Sequence, residues 1–284
     1  MNKYKRISLV IPVYNEADRI RACLQAIARQ TVQPYEVLVI DNNSTDGTAA
    51  IAGSFPFVRL LREPRQGVVY ARDRGFNAAR GDIIARIDGD SIISNDWIAT
   101  LIDLFADPQI DLVTGSVSVR EIGAAKLASR VDLFWRRYLH RRLGTLVGLQ
   151  GANMALRRQV WQAIKREVCH ESGLHEDFDI GLHANRHGYA ARFAEELRVS
   201  VCHRQCGTGF WRFADYALTG PRTYLYHGVS KGRVMYQVVA FVLLVYPIIC
   251  MLTRGYDERL SRFSLAQLFS ASLPPRVNPA TFID

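Results

Sequence analysis

Cysteine is scarce in this sequence, and its distribution excludes a disulfide-rich secreted fold. The five cysteines among 284 residues are odd in number and scattered along the chain. Cys202 and Cys206 flank His203, but their spacing fits no common zinc pattern and no second pair accompanies them. We therefore expect free thiols and a reducing compartment.

Several targeting and binding signatures are also missing. The chain contains no internal repeat and no low-complexity tract. Residues 1–6 are basic, but the apolar run from Ile7 is short and broken by Pro12, so no signal peptide is expected. The absence of Gly-x-Gly-x-x-Gly after the first apolar segment, and of Gly-x-x-x-x-Gly-Lys-Ser/Thr, argues against a dinucleotide site or a P-loop.

Acidic residues are outnumbered by basic ones. Asp and Glu number 27 against 36 Lys and Arg, which gives a formal net charge of +9. This balance suits an anionic partner such as a nucleic acid, an acidic lipid or a phosphorylated substrate. The hydrophobic share of 49% is sufficient for one large domain, or two modest ones, with a real core.

Apolar segments alternate with helical patterns through the first half of the chain. Short runs rich in β-branched residues predict strands, and apolar spacings of helical period predict helices between them, the first with Asn15 as its N-cap. The predicted strands cover residues 7–14, 36–40, 58–61 and 83–87, and the predicted helices cover residues 16–30, 48–52 and 69–79. Such alternation predicts a mostly parallel sheet wound by right-handed crossovers.

Polar residues follow three of these strands: Tyr14-Asn15-Glu16, Asp41 and Asp88-Gly89-Asp90. Because the carboxyl ends of parallel strands meet at one edge of a sheet, we expect these segments to lie together. Asp88 and Asp90 flank a glycine and can converge on a hard divalent cation that also holds a phosphate. The alternative is a turn in which both carboxylates bond nearby backbone amides, and the spacing alone leaves both open.

Four segments carry a family resemblance: residues 8–16 (SLVIPVYNE), residues 39–48 (VIDNNSTDGT), Ala71-Arg72 with Gly75 and Asn77, and Asp88-Gly89-Asp90. As a set they resemble family-two glycosyltransferases of the GT-A fold, densely over the first half of the chain and more loosely as far as Asp177. The resemblance implies an α/β chain, with a single Rossmann-like GT-A domain whose mostly parallel central sheet is flanked by helices. After this domain we expect a C-terminal hydrophobic helix.

The resemblance also implies a nucleotide and metal site. It assigns nucleotide binding to Pro12, Tyr14, Asn15, Glu16, Asp41, Arg72 and Asp88. Asp41 is implied to read the nucleobase, although the following Asn42 departs from the second aspartate that is common there. Asp88 and Asp90 are implied to hold Mn²⁺ or Mg²⁺ on the diphosphate, with His203 as a further metal ligand.

A second group of residues is implied to act on the acceptor. Asp177 corresponds to the catalytic base, and Glu176 and Asn153 lie in segments that resemble the acceptor side. The alternative for Asp177 and Asp179 is capping of the helix that Gly188 is expected to end.

The implied function is inverting, non-processive transfer of a sugar from a UDP- or GDP-sugar to an acceptor hydroxyl or phosphate. Processive synthases of the family carry Gln-x-x-Arg-Trp after the base, which residues 205–212 do not match. One alternative is a catalytically silent, membrane-attached binding or scaffold subunit with the same fold. Nucleotidyl transfer would require a glycine-rich basic loop where Asn15-Glu16 stand.

Two later segments suggest contact with lipid. Residues 124–143 predict a basic amphipathic helix with aromatic residues, which suits either a membrane surface or packing against the sheet. Residues 234–252 lack formal charge and have the length of a bilayer span, with a buried core helix as the alternative.

These segments give the predicted domain organisation and partners. We expect a GT-A domain at 1–228, with a nucleotide-binding half at 1–120 and an acceptor half at 121–228. A membrane-associated or transmembrane helix is expected at 229–255, and a polar tail at 256–284. The predicted partners are a nucleotide-sugar donor, a glycan or polyprenyl-linked acceptor and membrane lipid, without nucleic acid. The predicted location is the cytoplasmic face of the cell (inner) membrane, where such donors are made.

Overall fold

A computed structural model describes residues 5–119, 125–144, 148–201, 209–257 and 262–263. They form a mixed α/β structure around one eight-stranded sheet, with strand order β3-β2-β1-β4-β7-β6-β8-β5. The predicted tail at 256–284 falls largely outside the described residues, as do His203, Cys202 and Cys206.

The first half of the chain alternates strands and helices as the sequence predicts. The strands are β1 (Ile7–Val13), β2 (Glu36–Asp41), β3 (Val58–Arg62) and β4 (Ile83–Arg86), and the helices are α1 (Ile20–Ala28), α2 (Thr48–Gly53) and α3 (Val68–Ala78). β1 pairs in parallel with β2 and with β4, and β2 pairs in parallel with β3. Every residue of β1 is buried, which is typical of a parallel strand covered on both faces.

The second half adds shorter strands and most of the helices. Its elements are β5 (Ile92–Ile93), α4 (Trp97–Leu104), β6 (Leu112–Val119), α5 (Ala125–Leu143), β7 (Met154–Arg157), α6 (Arg158–Ile164), α7 (Glu176–Arg186), β8 (Ala191–Val201), α8 (Phe210–Tyr226) and α9 (Val234–Gly255). β9 (Tyr256–Asp257) and β10 (Arg262–Phe263) form a separate antiparallel pair. β7 runs antiparallel to β4 and β6, and β5 runs antiparallel to β8, so the sheet is mixed beyond β4.

The sheet separates two apolar cores. Alternate residues of a strand point to opposite faces. Leu9 and Ile11 therefore pack with Trp97 on one side, whereas Val10 packs with Phe76 and other residues on the other. The apolar periodicity that predicted the strands and helices thus places apolar residues on both faces of the sheet.

Two helix starts differ from the sequence prediction. Asn15 does not cap α1, because its backbone is left-handed (φ 52°) and its side-chain oxygen accepts the Thr45 N–H at 2.9 Å. Asp177 and Asp179 do not cap α7 either, since they lie inside its first turn after His175. The predicted end of α7 is confirmed, with Gly188 at φ 83° just beyond the helix.

The basic helix α5 lies between the sheet and α9. Arg137 donates to the Glu195 carboxylate of β8 at 2.6 and 2.7 Å. On the α9 side, the Tyr138 hydroxyl donates to Gln237 Oε1 at 2.8 Å. Packing against protein therefore accounts for part of the amphipathic pattern of this helix.

Helix α9 carries the predicted apolar segment. Among the described residues, Ser230–Ile248 is the one stretch long and apolar enough to span a membrane, and 22% of its residues are buried. Leu244 and Ile248 are exposed apolar side chains of this helix. Such low burial does not fit the alternative of a core helix.

The thiol prediction holds for two of the three described cysteines. Cys23 and Cys169 are not part of a disulfide. Cys250 is disulfide-bonded, so the expectation of free thiols is wrong for this residue.

Candidate active site

The loops after β1 and β2 form one joined rim at the carboxyl edge of the sheet. The Asn15 N–H donates to Ser44 Oγ at 3.1 Å, and the Glu16 N–H donates to Thr48 Oγ1 at 2.7 Å. Asp41 is buried at the end of β2 and accepts the Ser44 N–H at 3.2 Å. The sequence therefore correctly placed these polar segments side by side, but several of their polar groups serve to hold the loops together.

Asn42 fastens the loop that leads into α3. Its side-chain nitrogen donates to the carbonyls of Glu63 at 3.0 Å and Arg65 at 2.6 Å, and its oxygen accepts the Gly67 N–H at 2.8 Å. A carboxylate accepts hydrogen bonds but cannot donate them, so an aspartate could not make the first two bonds. This explains physically why asparagine stands at this position.

Asp88-Gly89-Asp90 forms a tight turn between β4 and β5. The Ser91 N–H donates to the Asp88 carbonyl at 3.0 Å, so the backbone forms a turn here, which both the metal hypothesis and the turn alternative allow. A Cβ on Gly89 would lie 2.9 Å from Val13 Cγ1 and 3.1 Å from Glu16 Cγ, which only glycine avoids. The turn is thus pressed against the end of β1, and it places Asp88 at the edge already formed by the other loops.

Arg86 connects this edge to helix α7, and sequence reasoning missed it. Its buried guanidinium lies 2.5 Å from Asp177 Oδ1, 3.4 Å from Glu176 Oε1 and 3.5 Å from Asp88 Oδ1. Burial works against its charge, but the three carboxylates outweigh burial and raise the pKa of Arg86. A charged residue inside the apolar strand β4 was the available signal, because buried charges are almost always paired.

Asp177 is held from two directions. Arg86 bonds one carboxylate oxygen, and the Gly151 N–H donates to the other at 2.7 Å. A Cβ on Gly151 would lie 2.6 Å from Asp177 Oδ2, so the close approach requires glycine. Burial, helped by the Glu176 charge and opposed by Arg86, raises the pKa of Asp177 to about 6.

Glu176 occupies a different electrostatic setting. Burial raises its pKa, but the charges of His175, Arg86 and Arg72 outweigh burial and lower the pKa of Glu176 to about 2. Its side chain is 19% exposed, against 5% for Asp177. The two adjacent carboxyls therefore differ in basicity, and the more basic one is the more buried.

Arg72 ties helix α3 to the start of α7. Its guanidinium is fully buried, and it bonds the Asp73 carboxylate at 2.7 Å and the Glu176 carbonyl at 3.0 Å. Contact between Arg72 and a nucleotide stays a prediction.

Asn153 holds the second half of the sheet together. Its side-chain nitrogen donates to the carbonyls of Ser116 at 2.9 Å and Leu197 at 2.8 Å, and its oxygen accepts the Trp97 indole N–H at 3.0 Å. The residue is fully buried. We therefore do not retain the predicted acceptor contact for Asn153, because its amide is committed to the core.

The strands and loops that form this edge, including the Asp88 turn, lie within a segment that matches a known family. The family model described as "Glycosyl transferase family 2" matches residues 8–164, more than half of the chain. The chain belongs to glycosyl transferase family 2.

Two similar proteins have names that agree with the family-2 assignment. Glycosyltransferase AglE of Haloferax volcanii is 33% identical over 205 residues, which cover 69% of this chain and 66% of AglE. The undecaprenyl-phosphate 4-deoxy-4-formamido-L-arabinose transferase of Serratia proteamaculans is 30% identical over 214 residues, covering 72% of this chain and 62% of that protein. The chain thus matches slightly less than two thirds of the length of either relative.

The fold also matches a solved structure almost throughout. The mannosyltransferase PcManGT of Pyrobaculum calidifontis, in complex with GDP-Man and Mn²⁺, aligns with a TM-score of 0.63. The alignment covers 99% of this chain and 79% of PcManGT at 19% sequence identity. The GT-A fold predicted from the sequence is therefore confirmed.

The carboxylates at this edge suit a divalent cation. Hard oxygen ligands are those that Mn²⁺ and Mg²⁺ prefer. Asp88 is 33% exposed and belongs, with Glu176 and Asp177, to a group of three carboxylates around the single guanidinium of Arg86. The donor chemistry at this edge thus fits a divalent cation, and its ligation by Asp88 and Asp90 stays a prediction.

Proposed function

We propose that this chain is an inverting, non-processive glycosyltransferase that uses a nucleotide sugar. The observation that carries the proposal is the Arg86 cluster, which joins the Asp88 turn to the carboxyl of Asp177 at the edge of the sheet. A donor diphosphate at the turn would thereby lie near a carboxylate able to accept a proton.

We assign the donor half of the site to the rim formed by the loops at the carboxyl edge of the sheet. We assign Asp41 to the nucleobase, and the segment from Pro12 to Glu16, together with Arg72, to the rest of the nucleotide. Asp88 and Asp90 would hold Mn²⁺ or Mg²⁺, which neutralises charge on the leaving diphosphate. PcManGT, with the same fold, was solved with GDP-Man and Mn²⁺, which supports a nucleotide sugar and a divalent metal in this assignment.

Asp177 is assigned as the general base. A base is most effective when its pKa lies near the working pH, and the raised pKa of Asp177, about 6, meets that condition better than Glu176 at about 2. Asp177 removes the proton of the acceptor hydroxyl as that oxygen attacks the anomeric carbon and the diphosphate leaves. One displacement of this kind inverts the anomeric configuration.

The proposed acceptor is a polyprenyl-linked or membrane-bound glycan. The exposed apolar face of α9 supports membrane attachment. The name of the Serratia relative states an undecaprenyl-phosphate substrate for that protein. With nucleotide sugars available in the cytosol, the proposed location is the cytoplasmic face of the inner membrane.

A donor panel tests the proposal. Purified chain is incubated with UDP- and GDP-sugars and Mn²⁺, and release of UDP or GDP is measured with and without a polyprenyl-linked glycan, which supplies the acceptor hydroxyl. Asp177→Asn serves as the matched control, and NMR of the product gives the anomeric configuration. Nucleotide binding without turnover by any donor would instead indicate the silent scaffold subunit, and retention of configuration would exclude the single displacement.

A further inference from the structure

A second group of polar side chains lies behind the start of α7, apart from the proposed donor site. The group consists of Cys169, Asp179, His183 and His227 and is called here the Cys169 cluster. One donor atom from each residue lies within 4.8 Å of the other three. The cluster joins three parts of the chain: the loop before α7, α7 itself and the residue after α8.

The spacing within the cluster is close to that of a tetrahedral metal site. Zn²⁺ bonds of about 2.0–2.3 Å place neighbouring donor atoms roughly 3.3–3.8 Å apart. His183 Nε2 lies 3.3 Å from Asp179 Oδ1 and 3.8 Å from Cys169 Sγ. The third pair, His227 Nε2 and Asp179 Oδ1, is 2.7 Å apart and must open by less than about 1 Å.

Further contacts hold these ligands in place, as outer partners do in metal sites. Asp179 Oδ2 accepts the Cys169 N–H at 2.8 Å, which leaves Oδ1 directed at the two histidines. His183 Nδ1 lies 3.5 Å from Glu167 Oε2. Glu167 could accept a proton on Nδ1 once Nε2 binds a metal.

We propose that the Cys169 cluster binds one Zn²⁺ through Cys169 Sγ, Asp179 Oδ1, His183 Nε2 and His227 Nε2. One sulfur, two imidazole nitrogens and one carboxylate oxygen form a donor set that suits this borderline-soft ion better than Mn²⁺ or Mg²⁺. Four protein ligands make the site structural rather than catalytic. Binding displaces the thiol proton of Cys169 and any proton on the two Nε2 atoms.

The ion would tie α7 to the loop before it and to the residue after α8. Asp179 lies one helical turn before His183 and two residues after Asp177, so the site anchors the helix that carries the proposed base. This inference does not depend on the proposed glycosyl transfer. Its test therefore measures metal and not activity.

Elemental analysis provides the first test. The full chain is stripped with a chelator, dialysed against Zn²⁺ and then against buffer. We expect one zinc per chain in the wild type and in Asp90→Asn, and none in Cys169→Ser. A wild type that retains no zinc, or a Cys169→Ser that retains as much as the wild type, would overturn the proposal, as would loss of the zinc in Asp90→Asn.

Cobalt substitution identifies the ligand. Co²⁺ added to stripped wild type should give a thiolate-to-cobalt charge-transfer absorption that Cys169→Ser lacks. His170→Gln is the matched control, because His170 is the adjacent exposed histidine outside the cluster, and it should keep the absorption. Absence of this band in the wild type would indicate only a hydrogen-bonded cluster and would refute the site.

A conservative variant covers the case in which Cys169→Ser does not fold. Asp179→Asn preserves the shape of the side chain but weakens ligation. We expect its Zn²⁺ affinity to fall by at least about 10-fold, since even partners outside the ligand set cost that much. Unchanged affinity in a folded Asp179→Asn would contradict the assignment of Asp179 as a ligand.

Discussion

At the scale of single residues, Arg86 decides how the carboxylates of the site behave. Its guanidinium faces Asp88, Glu176 and Asp177, so one positive charge is shared among three negative ones. Asp88, the most exposed of the three carboxylates, leaves the open side of the group accessible to a divalent cation. At Asp177, the carboxyl removed furthest from solvent, burial and the Glu176 charge outweigh the nearby positive charges and raise the pKa.

Loss of the base should affect rate and leave donor binding intact. Asp177→Asn is expected to lower turnover by about 10²–10⁴, because the acceptor proton is removed only in the transition state. Calorimetry should show unchanged UDP or GDP affinity with Mn²⁺. Glu176→Gln is the matched variant and should retain most of the turnover; the reverse ranking would make Glu176 the base.

The raised pKa of Asp177 predicts a pH dependence. The base acts as a carboxylate, so turnover should fall as pH drops through about 6 and level off above it. Because the Glu176 charge contributes to that rise, Glu176→Gln should move the inflection to lower pH. A pH–rate profile of both proteins measures this, and an inflection that moves upward would contradict the electrostatic account.

The metal assignment can be tested at Asp90. Asp90→Ala should lose Mn²⁺-dependent nucleotide binding, because one of two carboxylate ligands is removed. Calorimetry with UDP, and with GDP, in the presence and absence of Mn²⁺ makes the measurement, and circular dichroism checks the fold. Metal-dependent affinity equal to that of the wild type would place the cation elsewhere.

At the scale of elements, the loops after β1, β2 and β3 are held by side-chain bonds to backbone groups. Asn42 is central, since its side-chain amide donates to two carbonyls and accepts one N–H while it is itself buried. The geometry of the rim therefore depends on an amide whose side-chain bonds all run to the loop before α3.

Asn42→Asp should destabilise the chain, although aspartate is common at this position in the family. The carboxylate cannot donate to the carbonyls of Glu63 and Arg65, and an unsatisfied buried group costs about 1–3 kcal/mol. Denaturant unfolding measures the change. Asn43→Asp is the control, because it gains the same charge and also loses a donor bond, to the Pro64 carbonyl, but at an exposed position where water can replace that bond. It should cost less; equal losses would mean that burial of Asn42 is not what makes its replacement costly.

Local patterns account for what the sequence predicted correctly at this scale. The strands and helices of the first half arise from apolar periodicity, which neighbouring residues determine. Helices α6 and α8 and the short strands β5, β9 and β10 were not predicted. The Arg86–Asp177 pair could not be derived from local pattern either, because its partners are 91 residues apart in sequence and meet only through sheet order. The same holds for Asn153, whose buried role depends on Ser116, Leu197 and Trp97.

At the scale of the whole molecule, the apolar C-terminal helix is integrated with the α/β domain. Trp135 of α5 lies 5.1 Å from the Phe241 ring of α9, and Phe213 of α8 stacks on Tyr246 at 4.0 Å. One side of α9 thus contacts protein, while Leu244 and Ile248 remain exposed on it.

Membrane attachment should depend on that exposed side. The double variant Leu244→Lys with Ile248→Lys should move the chain from the membrane fraction to the soluble fraction, because charges at bilayer depth oppose insertion. Wild type should resist extraction by high salt. Val32→Lys, an exposed apolar position outside the C-terminal helices, is the control. A wild type that is soluble without detergent would refute membrane attachment.

The bond between Tyr138 and Gln237 has a geometric consequence. Helix α5 contacts the sheet through Arg137 and Glu195 and contacts α9 through this hydroxyl, so it links α9 to the sheet. With α9 inserted in lipid, its depth would set the height of the sheet edge above the bilayer. A lipid-linked hydroxyl or phosphate, which cannot travel far from its own leaflet, would then meet Asp177 at a distance fixed by the protein rather than by a flexible tether.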